Sequence, residues 1–154
     1  MFILFITLST YSFSANRNEF TIQYSLKLDY DTKDIYRGAT LTLSNNITNL
    51  TAWGIGARIL NSDYSSSWLY LEINIPVSNK ISIPVNMGGG IKIKDLNFYD
   101  SNSGALDLII HGQLGLEWGI DESWDYILYS IYNYNLLTRD SGSYFINLGI
   151  KYKF

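Results

Sequence analysis

Apolar and polar residues alternate along most of this chain with a period of two. The cleanest stretch covers residues 20–30. Phe20, Ile22, Tyr24, Leu26, Leu28 and Tyr30 share one parity; Thr21, Gln23, Ser25, Lys27 and Asp29 share the other. Successive side chains of a strand point to opposite faces, so this stretch predicts a strand with one greasy and one polar side. The last residues, 144–154, repeat the pattern, with Tyr144, Ile146, Leu148, Ile150, Tyr152 and Phe154 against Phe145, Asn147, Gly149, Lys151 and Lys153.

Between these ends the same reading gives strands over 36–45, 51–60, 67–77, 81–94, 105–120 and 124–137. Turn-forming clusters separate them: Asp31-Thr32-Lys33-Asp34, Asn45-Asn46 with Asn49, 61–66, Ser78-Asn79-Lys80, 95–104, Asp121-Glu122-Ser123 and 138–142. The seventh strand is aromatic on both parities, so alternation leaves its register open. Pro76 and Pro84 are expected at strand ends or a bulge, because proline cannot donate to a ladder. Gly88-Gly89-Gly90 reads as a bend in a curved sheet. No helical period and no linker appear. The expectation is an all-β, eight-stranded, antiparallel up-and-down barrel.

Alternation alone also fits a soluble, lipocalin-like barrel with its greasy face inward. Three features favour a transmembrane barrel. Most strands have ten or more residues, where soluble strands average about 5–6. Charged residues are only 16% of the chain, against about 25% in soluble domains. Aromatics make up 16%, including 13 Tyr and 4 Trp, and they gather at strand ends, as headgroup-level girdles do. Eleven residues at about 3.3 Å each, tilted by about 45°, cross a bilayer core. Crossing by helix is not expected, since no apolar run approaches about 18 residues. The net charge of −3 and the lack of a basic run argue against nucleic acid as a partner. With no Cys, disulfides and thiolate metal sites are excluded.

The final strand resembles those of bacterial outer-membrane β-barrels, which end in an aromatic with another two positions earlier. Phe154 and Tyr152 fit that pattern. The resemblance implies that this segment is the signal read by the barrel-insertion machinery, and that the protein sits as a monomer in outer-membrane lipid. The architecture is similar in size to the OmpA transmembrane domain and OmpX. Residues 1–14, MFILFITLSTYSFS, resemble a secretory signal peptide with Ser12 and Ser14 at the −3 and −1 positions, although no Lys or Arg precedes the apolar run. Residues 15–154 then form the single barrel domain.

If the apolar parity faces lipid, the inward parity collects Lys27, Asp29, Arg58, Glu72, Lys92, Lys94, Asp107, Glu117, Lys151 and Lys153, with His111 beside them. Buried charges must be paired, and depth along the strands suggests Asp107 with Lys92 and Lys94, Glu117 with Lys151 and Lys153, and Glu72 with Arg58. His111 is the only histidine. Outer-membrane lipid A deacylases use a His with a Ser two residues on; here the triplet is His111-Gly112-Gln113, so that serine is missing. The lipid A palmitoyltransferase barrel also uses a His, but its N-terminal amphipathic helix has no counterpart. His111 therefore reads as a lumen group in a hydrogen-bond network, and Glu72 and Glu117 as salt-bridge partners rather than an acid/base pair. The Tyr and Trp residues read as girdle. Asp63, Asp95 and Asp100 fall in loops without cation-binding spacing. No catalytic, cofactor-binding or metal-binding residues are expected. The function expected is that of a small, non-enzymatic outer-membrane protein with a filled polar interior and a structural or surface-interaction role. The alternative is a narrow channel for ions or small solutes, for which the inward Gly54, Gly56, Gly88, Gly90, Gly115 and Gly149 would leave room. A lipid-modifying enzyme and a soluble lipocalin-like binder rank lower.

Overall fold

Hairpin follows hairpin along the chain, and the last strand returns to the first. The strands are β1 (Asn18–Leu28), β2 (Ile35–Asn46), β3 (Thr51–Leu60), β4 (Tyr64–Pro76), β5 (Ile81–Lys94), β6 (Ala105–Gly119), β7 (Trp124–Asn135) and β8 (Ser143–Lys153). All neighbours are antiparallel, and β1 pairs with β8 to close the barrel. The structure is a computed structural model that describes residues 17–28, 35–61, 64–94, 105–137 and 142–154, with backbone only at Tyr64, Lys94 and Ala105. The expected signal segment, Asp29, Tyr30 and the loop acids Asp63, Asp95 and Asp100 lie outside the described residues.

The strands are staggered. Directly opposed residues run Asn18–Asn45–Trp53–Leu71–Met87–Gly112–Tyr132–Tyr144 and return to β1 at Leu28, ten residues beyond the starting point. Closure with such a stagger requires the strands to tilt, by about 35–45° in barrels of this kind.

The two parities separate as a membrane requires. Leu71 and Leu148 are 66% and 56% exposed, whereas Arg58 and Lys151 are 1% and 2% exposed. Apolar side chains cover the outside and polar ones fill the inside, the reverse of a soluble barrel, which disposes of the lipocalin-like reading. Around the end with the short connections (47–50, 77–80 and 120–123), Trp53, Trp118, Trp124, Tyr126, Tyr152 and Phe154 face outward. Tyr132, Tyr134 and Tyr144 do so nearer the other end. The outward hydroxyl of Ser130 is satisfied by Tyr144, 2.6 Å away.

Three expectations need correction. First, β4 starts at Tyr64, so the connection after β3 shrinks to residues 61–63. Ser65 and Ser66 look like loop residues but pair with Ile93 and Lys92, and Ser66 lines a polar interior where serine is at home. Second, Pro84 lies within β5 without a bulge: Ser82 opposes Glu117 and Val85 opposes Leu114 in one register. The missing N–H interrupts the ladder to β6 without shifting it. Third, the interior is not wholly polar. β7 turns Asp125, Ile127, Tyr129, Ile131, Asn133 and Asn135 inward. Ile127, Tyr129 and Ile131 pack with Leu60 and Phe145 in a small apolar cluster inside the barrel, which is why its two faces look alike in sequence.

Candidate functional site: the barrel lumen

The lower layer of the lumen, nearest the short turns, is built around Lys151. Its Nζ lies 3.1 Å from Glu19 and 3.8 Å from Glu72, and it contacts the Glu117 carboxylate more closely still. These carboxylates come from β1, β4 and β6 and meet at one ammonium on β8. Taking such charges out of water is expensive, so each needs further hydrogen bonds. Asn46 donates to Glu19 at 3.0 Å, Tyr129 donates to Glu117 at 2.5 Å, and Asn86 donates to Glu72 at 3.3 Å. Lys153 sits beside Asp125 at 2.6 Å.

Above this layer, Asn147 donates to Gln23 at 2.6 Å, and Gln23 donates to Thr21 at 2.9 Å. Higher again, a stack of flat groups crosses the barrel from wall to wall. The Arg58 guanidinium lies 3.8 Å from the centre of the Phe145 ring and 5.1 Å from that of Trp68. The Trp68 ring is stacked on His111, with centroids 4.6 Å apart. His111 Nδ1 lies 2.8 Å from Asn133 Oδ1. Arg58 Nε donates to Thr40 at 2.9 Å, and Thr40 bonds Ser25 at 2.6 Å. At the top, Lys92 opposes Asp107 across the β5–β6 pair and donates to Asn135 at 3.3 Å. Asp107 accepts from the Leu137 N–H at 2.9 Å, and Lys27 lies over the Tyr36 ring.

Glycine makes room for this filling. Gly54 is directly opposite Tyr70, Gly56 opposite Trp68, and Gly115 opposite Tyr129. In each pair the aromatic ring occupies the space that a Cβ on the glycine would need. These glycines are therefore covered by rings from the next strand and do not leave the interior open. Within the lower lumen the cavity bounded by Thr42, Tyr70, Glu72, Asn86, Tyr129 and Lys151 measures about 10 Å³, at the limit of what one water needs. A wider cavity of about 190 Å³ lies at the short-turn mouth and reaches Glu19, Glu72 and Asn74.

Of the expected lumen residues, Arg58, Glu72, Lys92, Asp107, His111, Glu117 and Lys151 are buried inside, and Lys27 and Lys153 are partly buried. Asp29 and the Lys94 side chain lie outside the described residues. Two suggested pairings change. Arg58 opposes Ser66 while Glu72 opposes Ala52, six residues apart along the strands or about 20 Å, so Glu72 turns to Lys151 instead. Lys153 takes Asp125 rather than Glu117. Trp68, Tyr70 and Tyr129 belong to the lumen and not to a girdle, and Phe145 is buried there with them. Glu19 is a partner the pattern missed; it shares parity with Thr21 one residue before the expected strand. Among the described residues, no group of three or more His, Asp or Glu is arranged to hold a metal ion.

No protein-family model matches the chain, and no curated protein matches it by sequence. Its backbone is similar to that of solved barrels. The N-terminal β-barrel domain of Pseudomonas aeruginosa OprF superposes with a TM-score of 0.67 at 14% identity, over 91% of this chain and 100% of that one. Neisserial surface protein A gives 0.67 at 11% identity, over 93% and 99%. Ail, the attachment invasion locus protein of Yersinia pestis, gives 0.56 at 13% identity, over 92% and 100%. The fold is that of the small eight-stranded transmembrane β-barrels.

Proposed function

We propose that this chain is a small, monomeric outer-membrane protein that works as a closed, side-chain-filled barrel, with a structural or surface-interaction role and neither a pore nor an enzymatic activity. The observation that carries this reading is the wall-to-wall stack of Phe145, Arg58, Trp68 and His111, set above the Lys151 cluster. An ion would have to displace both. His111 is fully buried within the stack, out of reach of lipid headgroups, which speaks against lipid-modifying chemistry through it. The outer-membrane address rests on the apolar outer wall, the aromatic ends and the likeness to outer-membrane barrels. Entry through residues 1–14 as a signal peptide and delivery to the insertion machinery through Tyr152 and Phe154 belong to the same reading.

Planar-bilayer recording of the refolded protein tests it. The expected trace is flat; reproducible unitary steps would establish the channel instead. Fractionation of cells should place the protein in the outer-membrane pellet, released by detergent and migrating differently on gels before and after boiling.

A further inference from the structure

The outer wall carries one charge. Among the described residues of the eight strands, Arg37 is the only charged one on the outward parity, and it is exposed. Its guanidinium has no acidic partner among the described residues. Arg37 is coupled to Asn61 at the end of β3. The Arg37 N–H donates to Asn61 Oδ1 at 3.0 Å, and the Asn61 N–H donates to the Arg37 carbonyl at 2.9 Å. The amide oxygen of Asn61 is thereby occupied, and its NH2 group is left to donate. Side chains opposed in this way start only about 5 Å apart. Two donor groups therefore share one spot on an otherwise apolar wall. Leu26 flanks it on β1, and Ile59, 65% exposed, lies just below.

The register sets the height of this spot. Arg37, Leu26 and Ile146 lie in one row across β2, β1 and β8, and outward-facing Tyr144 is the next outward residue beyond Ile146. Arg37 thus stands at the level of the upper aromatics, where a long cationic side chain lifts its charge out of the acyl region. The anionic group that a bilayer offers there is phosphate, and a guanidinium matches two of its oxygens at once.

Below the pair the wall is dented. Ala39 follows Arg37 on the outward side of β2, and Leu41 follows Ala39. From Leu41 a groove of about 560 Å³ runs across β3, β4 and β5. Ala57, Ser67 and Gly89 form its floor, and Leu41, Leu69 and Ile91 stand at its sides. Arg37 and Leu41 are four residues apart, about 13 Å along a strand. Half of a bilayer core is about 15 Å deep, so a lipid held by its phosphate at Arg37 reaches the groove with its chain.

We propose that Arg37 and Asn61 seat the phosphate of one membrane lipid, whose acyl chain fills the groove bounded by Leu41, Ala57 and Gly89. The proposal rests on the transmembrane reading of the outer wall.

The test is native mass spectrometry of the full chain folded in detergent micelles, with dimyristoyl phosphatidylglycerol added. The comparison lipid is a dimyristoyl galactosylglycerol, which has the same chains and no phosphate. Preferential retention of one phosphatidylglycerol per barrel is expected. Arg37→Gln should lower that retention by about tenfold, as loss of a hydrogen bond from a charged group does. Gly89→Leu should lower it as well, by filling the groove. That position accepts a side chain, since an added Cβ meets nothing closer than the Ile109 backbone oxygen at 3.7 Å. Arg17→Gln removes an exposed arginine at the opposite end of the barrel and should change nothing, which separates a seat from general attraction to anionic lipid. Equal retention of the two lipids by the wild type overturns the proposal. So does retention that Arg37→Gln or Gly89→Leu leaves unchanged, and so does a lipid-free dimer in which a second copy takes the groove. Gel migration before and after boiling shows that each sample is folded, so these outcomes would sink the lipid seat and leave the transmembrane reading standing.

Discussion

The indole of Trp68 lies against the imidazole of His111, ring centroids 4.6 Å apart and planes 20° apart. The two residues come from β4 and β6, with β5 between them. Gly88 and Gly90 occupy the intervening inward positions on β5, opposite Tyr70 and Trp68, and so leave the rings free to meet. Replacing Trp68 by Ala removes the central plate of the stack. The expected cost is about 3–5 kcal/mol, as for other buried large aromatics, read as a lower urea midpoint of the micelle-folded protein. The Lys151 layer below stays intact, so bilayer recordings of Trp68→Ala should remain flat.

Gly56 stands on β3 directly opposite the same residue. A Cβ there would stand 2.4 Å from the Trp68 indole, whose far face is held by the stack. Gly56→Ala should therefore cost about 1–3 kcal/mol through overpacking. Gly112 is the control: it faces outward, and the nearest atom to an added Cβ is a backbone oxygen at 3.9 Å. Gly112→Ala should be neutral or stabilising by about 0.4–1 kcal/mol, because it restricts the unfolded chain. Urea unfolding of the two variants in one detergent separates them.

Parity alone carries a good part of this structure. β3 and β5 begin and end where turn residues such as Asn49 and Ser78-Asn79-Lys80 bracket the alternation, and the greasy side of each strand faces lipid. What parity lacks is height. Arg58 and Glu72 sit on adjacent strands and look like partners, but the β3–β4 register sets them six residues apart along the strands. Closure of the barrel brings Glu19, Glu72 and Glu117 to Lys151 from three separate strands. The inward aromatics were hidden for another reason. Trp68 and Tyr70 share parity with Glu72, yet aromatic residues in such a barrel invite a girdle reading. The glycines opposite them, Gly56 and Gly54, were the signal that they point inside.

Lys151 is the only ammonium in contact with Glu19, Glu72 and Glu117 among the described residues. Lys151→Met keeps the length of the side chain and removes its charge, leaving three carboxylates facing one another. Breaking a buried pair by removing one partner costs about 3–5 kcal/mol, so this variant should unfold at markedly lower urea. Adding Glu117→Gln removes the closest of the three charges and should recover part of that loss. A double-mutant cycle over Lys151 and Glu117 should then return a coupling of about 0.5–3 kcal/mol. A coupling near zero would show that the contact adds nothing beyond packing.

The outer wall is tested by depth. Leu148 is 56% exposed and lies near the middle of β8, opposite Tyr24 and Leu128. Trp124 opens β7 at the short-turn end, its ring 4.6 Å from that of Tyr152. In water, an arginine at either exposed position would be tolerated. In a bilayer, arginine on the lipid face costs about 2–4 kcal/mol at the midplane and about 0–1 kcal/mol near the interfaces. Leu148→Arg should therefore destabilise the vesicle-folded protein strongly. Trp124→Arg should lose little beyond its contact with Tyr152. Equal, small effects at both positions in lipid vesicles would mean that the apolar wall does not face acyl chains. The expected gap between the two variants is large enough to read from their urea midpoints.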